Sequence, residues 1–326
     1  MSESAKTDET VASEKGQFHP RNKHTGRYDF PALIALVPEL KSHVAINKFQ
    51  IESINFADPV AVKLLNFALL KKDYGIASWD IPEGYLCPPV PGRADYIHHV
   101  ADMMGSDNRT IAPRGPSVKV LDVGVGANAI YPIIGNSEYG WSFVGCDVDK
   151  IALGSAQKIA DANPNLNNVF TLRLQKNAFN ILNGIITPED EFDLVVCNPP
   201  FHSSNEEAME GTHRKWKNLG KAPSQRNVKN FGGQPGELFF PGGEGAFISK
   251  MIDESAAYAK NACWFTTLVS KADNMHVLHR VLKKSGAKAV RTLPMSQGQK
   301  SSRVLAWTFQ DEEGLKVWRE RKFWSA

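Results

Sequence analysis

The stretch Phe192-Asp193-Leu194-Val195-Val196-Cys197-Asn198-Pro199-Pro200-Phe201 decides the reading of the fold. Leu194 to Cys197 form a short apolar run rich in β-branched residues, which predicts a strand covered on both faces. Two prolines then stop it, because neither Pro199 nor Pro200 has the N–H that a sheet ladder requires. Each proline fixes its own φ and restricts the residue before it, so the corner is stiff. Asn198 and Phe201 are thereby held in defined directions at the carboxyl end of a strand, the edge where open α/β sheets bind ligands. A carboxamide oxygen and the carbonyls beside it accept hydrogen bonds from an amino group. A neighbouring aromatic ring stacks on a flat heterocycle. The corner therefore fits a planar molecule held by an exocyclic amine. Taken alone, such a string is more commonly a strand followed by a Pro-rich turn, so the surrounding chain has to decide.

Upstream, Val118-Lys119-Val120-Leu121-Asp122-Val123-Gly124-Val125-Gly126-Ala127-Asn128-Ala129 runs from a strand into a Gly-x-Gly turn and a short helix over 129–134. Gly124 and Gly126 let the backbone turn tightly and approach a ligand. A second strand is predicted over 141–146, and Asp147 at its end follows Gly126 by 21 residues. That spacing matches the acid that takes ribose hydroxyls in nucleotide-binding folds. A helix over 149–162 and a strand over 169–174 complete a βαβαβ half that binds an adenosine-bearing cofactor. The glycines alone permit NAD. Asp122, however, is an acid that suits a cationic ligand, and an amine-binding corner on the fourth strand calls for no pyrophosphate site. S-adenosylmethionine carries a sulfonium and an amino group but no phosphate.

Composition narrows the field. The 326 residues carry 42% apolar side chains and a net charge of only +3, so a large core is expected and any nucleic-acid contact must be a local patch. Cys87, Cys146, Cys197 and Cys263 are widely spaced, which argues for reduced thiols in a cytoplasmic protein and against a disulfide framework or zinc site. No apolar run reaches membrane-spanning length. Residues 1–17 read as a disordered leader. Residues 18–110 read as a small helical domain or N-terminal extension that binds RNA or covers the cofactor, with helices over 30–36, 59–72 and 93–104 and Asp58 capping the second. The basic run His19 to Tyr28 reads as a solvated linker rather than a phosphate-binding arm. Adjacent His98 and His99 make a poor metal pair.

Downstream of the corner lies a long connection, residues 202–242. Its central part, 211–235, lacks acids and carries Arg214, Lys215, Lys217, Lys221, Arg226 and Lys229, with Trp216 and Phe231 interleaved. A loop of this length and charge, directly after the corner, is expected to contact RNA phosphates. A helix to about residue 260, a fifth strand over 262–269, a helix over 273–284, strands over 289–293 and 303–309 and a helix over 311–323 follow. The last two strands are joined too briefly for a crossover and should be antiparallel neighbours. Trp318 and Trp324 are expected to pack rather than bind.

The order Asp122-x-Gly-x-Gly, Asp147, Asn198-Pro-Pro-Phe201 resembles the class I methyltransferases of exocyclic amines. The flanking Phe18-His-Pro-Arg-Asn-Lys-His24, Pro91-Gly-Arg93-Ala-Asp-Tyr-Ile-His-His99 and Cys197-Asn-Pro-Pro-Phe-His202 resemble a subgroup, the bacterial 23S ribosomal RNA adenine-N6 methyltransferases, relatives of a eukaryotic U6 snRNA methyltransferase. The resemblance runs from about residue 18 to the C-terminus. It implies an α/β fold with a Rossmann-like class I methyltransferase sheet over 111–326, and S-adenosylmethionine as cofactor. It implies that Gly124, Gly126 and Asn128 form the cofactor turn, Asp147 holds the ribose, Arg93 reaches the cofactor carboxylate and Asn177 meets the adenine edge. Asn198, Pro199, Pro200 and Phe201 are implied as the catalytic tetrapeptide. The expected product is N6-methyladenine in 23S rRNA, free or in a large-subunit assembly intermediate, made by a monomer without a metal or a membrane. Two rivals stand beside it. One is a protein glutamine N5-methyltransferase, which also uses an Asn-Pro-Pro corner but calls for a short, non-basic connection after it. The other is a non-catalytic RNA-binding protein, against which the intact turn and corner argue.

Overall fold

A computed structural model describes residues 18–105, 111–200, 239–297 and 300–323. Its centre is a seven-stranded sheet. The strands are β3 (Lys119–Val123), β4 (Ser142–Asp147), β5 (Phe170–Leu174), β6 (Phe192–Cys197), β7 (Ala262–Val269), β8 (Ala289–Gln297) and β9 (Lys300–Thr308), in the order β5-β4-β3-β6-β7-β9-β8. The pairs β4–β5, β3–β4, β3–β6 and β6–β7 are parallel, while β9 is antiparallel to both β7 and β8. The strand order reverses between β3 and β6, the place where doubly wound sheets open a crevice.

All six residues of β6 are buried. Leu194 and Val196 enter the core on one face, Val195 and Cys197 the core on the other, so the apolar run is read by two layers. The first layer holds α3 (Val90–Gly105), α4 (Ile130–Tyr139) and α5 (Lys150–Asp161). The second holds α6 (Gly243–Ser255) and α7 (Asn274–Ser285). A C-terminal helix, α8 (Glu312–Phe323), brings Trp318 onto the sheet, where its indole donates to Asp193 at 2.6 Å. Trp318 packs as expected; Trp324 lies outside the described residues.

The N-terminal extension adds α1 (Phe30–Leu36), α2 (Pro59–Tyr74) and a small hairpin, β1 (Val44–Ile46) with β2 (Glu52–Ile54), which the sequence reading did not anticipate. Asp58 caps α2 through Val60 N at 3.0 Å, with Pro59 in the first turn. Helix α3 starts earlier than expected, at Val90, because Pro91 is tolerated in a first turn where no N–H is needed. Strand β8 runs through Pro294, which pairs with Arg303. β8 is the sheet's outer strand, where proline is tolerated, and the hairpin link shrinks to two residues.

The run His19 to His24 departs most from expectation. It is a clasp rather than a linker, with His19, Asn22 and His24 buried and Arg21 at the surface. His19 N donates to Asp95 Oδ1 at 2.6 Å, and His19 Nε2 lies 2.8 Å from Asp102 Oδ2. Arg21 pairs with Asp102 and donates to the Tyr139 hydroxyl at 3.0 Å. Asn22 Nδ2 donates to the Pro91 carbonyl at 2.9 Å, and His24 Nε2 lies 2.8 Å from the Tyr74 hydroxyl. These polar groups are spent inside the fold.

Candidate active site

The crevice between β3 and β6 opens into a cavity of about 400 Å³, within the range of small-molecule sites. Its floor is the turn after β3. Gly124 and Gly126 sit at φ +76° and +63°, a region that favours glycine. The N–H groups of Gly124 and Val125 both donate to the Cys146 carbonyl at 2.9 Å, which folds the turn back against the end of β4. Asp147 finishes the job. Its Oδ2 accepts from Gly126 N and its Oδ1 from Asp149 N, each at 3.0 Å. The acid and the glycine turn are thus built on one another, which is why their spacing in the sequence was informative. Burial raises the pKa of Asp147, opposed by those backbone donors. Asp147 lines the cavity.

Asn128 lines the cavity, yet its side chain is largely committed. Its Oδ1 accepts from Ile130 N at 3.1 Å at the start of α4, and its Nδ2 points to the Leu86 carbonyl at 3.4 Å. Trp79 Nε1 donates to the Asn128 carbonyl at 3.0 Å. The turn is therefore roofed by the extension, and Leu86 and Pro88 join the cavity wall.

Asp122 does not line the cavity. It lies beneath the floor on the α3 and α4 side, fully buried, and neither carboxylate oxygen has a hydrogen-bond partner among the described residues. Burial, reinforced by the Asp147 charge, pushes its pKa well up, while Arg93 pulls it down. Asn177 is likewise not on the wall. It is exposed and its Oδ1 caps Phe179 N at 3.0 Å. The wall there consists of Ala178, Phe179 and Asn180, because Gln175 pins the loop from inside, accepting from Asn177 N at 3.0 Å and donating to the Asn183 carbonyl at 2.9 Å. Phe179 stands at the cavity with 69% of its surface exposed. An aromatic in the polar run 176–180 directly after β5 was the available signal. Behind this loop, Glu254 Oε2 accepts from the N–H groups of Ile181, Leu182 and Asn183 at 2.7–3.0 Å. Burial alone would raise the Glu254 pKa; those donors and Lys250 hold it below the usual range.

At the other end stands the corner. Asn198 is half-buried and Pro199 and Pro200 are buried; Asn198 and Pro200 line the cavity. Arg93 NH1 donates to Asn198 Oδ1 at 3.1 Å and to the Tyr131 hydroxyl at 3.3 Å. The structure thus brings Arg93, Gly124, Gly126, Asn128, Asp147 and Asn198 to one cavity. Phe240, Pro241 and Phe247 close the far wall, with the Phe240 and Phe247 rings edge to face at 5.2 Å; sequence reading had not singled these out. Glu244 anchors that wall: its carboxylate accepts from Ser270 N at 2.7 Å and Asn274 Nδ2 at 2.7 Å. Phe201 and the basic residues Arg214, Lys215, Lys217, Lys221, Arg226 and Lys229 lie outside the described residues.

The donor set fits S-adenosylmethionine. A carboxylate stands beside a glycine turn, a guanidinium lies 3.1 Å from Asn198, and an unpartnered buried carboxylate lies under the floor, where a cationic ligand would offset it. Among the described residues no group of three or more His, Cys, Asp or Glu side chains converges as a metal site, and no helix is long and apolar enough to cross a membrane.

Comparison with known proteins follows the same line. Residues 12–311 match the model of a family described as RNA methyltransferase. The chain is 53% identical over 315 residues to Ribosomal RNA large subunit methyltransferase F of Ectopseudomonas mendocina, covering 96% of this chain and 95% of that protein. It is 51% identical to the protein of the same name from Pseudomonas aeruginosa strain LESB58, covering 94% and 92%. Among solved structures, the hMettl16 catalytic domain in complex with MAT2A 3'UTR hairpin 1 superposes with a TM-score of 0.76 at 31% identity, covering 90% of this chain and 96% of that one. The N-terminal domain of human METTL16 in complex with SAH gives 0.70 at 29% identity, covering 90% and 99%.

Proposed function

Because the chain belongs to the RNA methyltransferase family, we propose that it transfers a methyl group from S-adenosylmethionine to the N6 amine of one adenine in 23S ribosomal RNA. The observation that carries this reading is one cavity lined at one end by a ribose-type acid, Asp147, and at the other by an amine-accepting corner, Asn198. Full-length relatives named for the large-subunit ribosomal RNA support the substrate class, and a neighbour bound to SAH supports the cofactor.

When bound, S-adenosylmethionine supplies an electrophilic methyl on a sulfonium. Gly124, Gly126 and Asp147 would hold its nucleoside, Phe179 would cover its adenine and Arg93 would take its carboxylate. The protein's task on the substrate side is positional. An adenine amine is a weak nucleophile because its lone pair is delocalised into the ring. Asn198 Oδ1 and the Pro199 carbonyl accept its two hydrogens and turn the lone pair out of the ring plane toward the methyl. Holding the reacting atoms about 3–3.5 Å apart supplies much of the rate. No side chain has to remove a proton first, since the methylated nitrogen is cationic and sheds one readily. The target must leave its stack, at a cost of a few kcal/mol that is lowest in loops and bulges. Stacking on Phe201 returns roughly 1–3 kcal/mol. The basic residues between 202 and 242 would hold the RNA backbone.

The test uses purified protein, labelled S-adenosylmethionine and protein-free large-subunit rRNA. Label enters the RNA, and Asn198→Ala lowers the rate by about 10²-fold or more while keeping cofactor affinity. Label on a protein glutamine in place of RNA would replace this reading with the glutamine N5 reaction. Cofactor binding without transfer to either would favour a silent RNA-binding protein.

A further inference from the structure

We propose that Tyr96, a residue with no contact to the cavity, is a positioning residue that aims Asn198 through the backbone of Cys197. This inference rests on the role given to the corner above. Pairing of β6 with β7 ends at Val195 opposite Phe265, whereas β6 stays paired with β3 as far as Cys197 opposite Val123. The last residues of β6 are thus held by a strand on one side only, and a side chain takes over on the other. Cys197 N donates to Tyr96 Oη at 3.3 Å. Tyr96 Oη lies 2.7 Å from Thr266 Oγ1, and Thr266 Oγ1 donates to the Val195 carbonyl at 2.8 Å.

The direction of this relay follows from its ends. A carbonyl can only accept, so the one hydroxyl proton of Thr266 goes to Val195. Thr266 must then accept from Tyr96, which leaves Tyr96 Oη to accept from Cys197. Tyr96 and Thr266 are both fully buried, so removing the tyrosine hydroxyl leaves the Cys197 N–H without a substitute acceptor. The Tyr96 ring is itself fixed, edge to face on Tyr131 at 5.4 Å. Arg93, one turn earlier on α3 and on the same face, reaches the Asn198 side chain. Helix α3 therefore grips the corner twice, once at the backbone before Asn198 and once at its carboxamide. The amine-accepting oxygen is aimed by this helix rather than by the Asn-Pro-Pro string alone.

Single-turnover methyl transfer to large-subunit rRNA is measured for wild type, Tyr96→Phe, Thr266→Val and Thr266→Ser, with Kd for S-adenosylmethionine and for RNA, and with amide exchange at Cys197. Tyr96→Phe is expected to slow transfer about ten- to a hundredfold with both Kd values unchanged and faster exchange at Cys197. Thr266→Val should behave likewise, and Thr266→Ser, which keeps the hydroxyl, should restore the wild-type rate. A folded Tyr96→Phe protein with the wild-type rate overturns the proposal, as does a loss that appears wholly as weaker cofactor or RNA binding. If wild type itself methylates no RNA, the assigned reaction fails instead, and unchanged protection of Cys197 in Tyr96→Phe would overturn the relay independently.

Discussion

Single residues carry the chemistry, and they differ in how plainly they announced it. The meeting of Asp147 with the glycine turn is legible in their spacing, because the acid is a direct hydrogen-bond partner of the turn. The place of Asn198 at the end of β6 is legible in the prolines that adjoin it. Asn177 lies off the cavity wall, where a two-residue turn brings Phe179 and Asn180 instead. Asp122 reads differently in three dimensions from its place in the motif. It is a buried carboxylate without a hydrogen-bond partner among the described residues, and such a group costs several kcal/mol if ionised. We expect Asp122→Asn to leave the cofactor-free Tm at or above the wild-type value while weakening S-adenosylmethionine binding. Calorimetry with a parallel titration checks both, and a large fall in Tm would assign the carboxylate to the fold rather than to the ligand.

At the scale of elements, strands and helices followed their apolar periodicity and caps, so most lie within a few residues of expectation. The widest departure has its cause in partners distant in sequence. The clasp at His19 to His24 looked like a solvated basic run because its acids, Asp95 and Asp102, lie more than seventy residues away. It also yields a pH dependence. Burial, aided by Lys23 and Lys72, lowers the pKa of His24 to about 4, and burial, aided by His19 and Arg21, lowers that of His98 to about 3. An unfolded histidine titrates near 6.5, so between the two values the unfolded chain binds more protons. Stability is therefore full above about pH 6.5 and falls as the pH drops toward 4, by up to about 1.4 kcal/mol per pH unit for each histidine. Thermal unfolding at stepped pH should show Tm declining across that window, and a flat profile would contradict the buried, neutral state of both rings.

The molecule as a whole joins what the sequence divides. Leu70, Tyr74, Ile76 and Trp79 of the extension share one core cluster with Val118, Val120, Ile133 and Phe170 of the sheet layer. The extension also supplies Leu86, Pro88 and Arg93 to the cavity. The predicted elements change near residue 110, and composition gives no hint of a core that crosses that point. Calorimetry is expected to show one cooperative transition, and two separable transitions would restore a boundary there. The same continuity explains how a helix of the extension can hold a corner on the sheet, and why Arg93, Asp147 and Asn198 line one cavity. The central claim is that this corner presents an adenine amine to the methyl donor. Its most direct measurement is nucleoside analysis of large-subunit rRNA after reaction with labelled S-adenosylmethionine. The account predicts label as N6-methyladenosine at a single site, absent with Asn198→Ala; label on a ring nitrogen, a carbon or a ribose hydroxyl would contradict it.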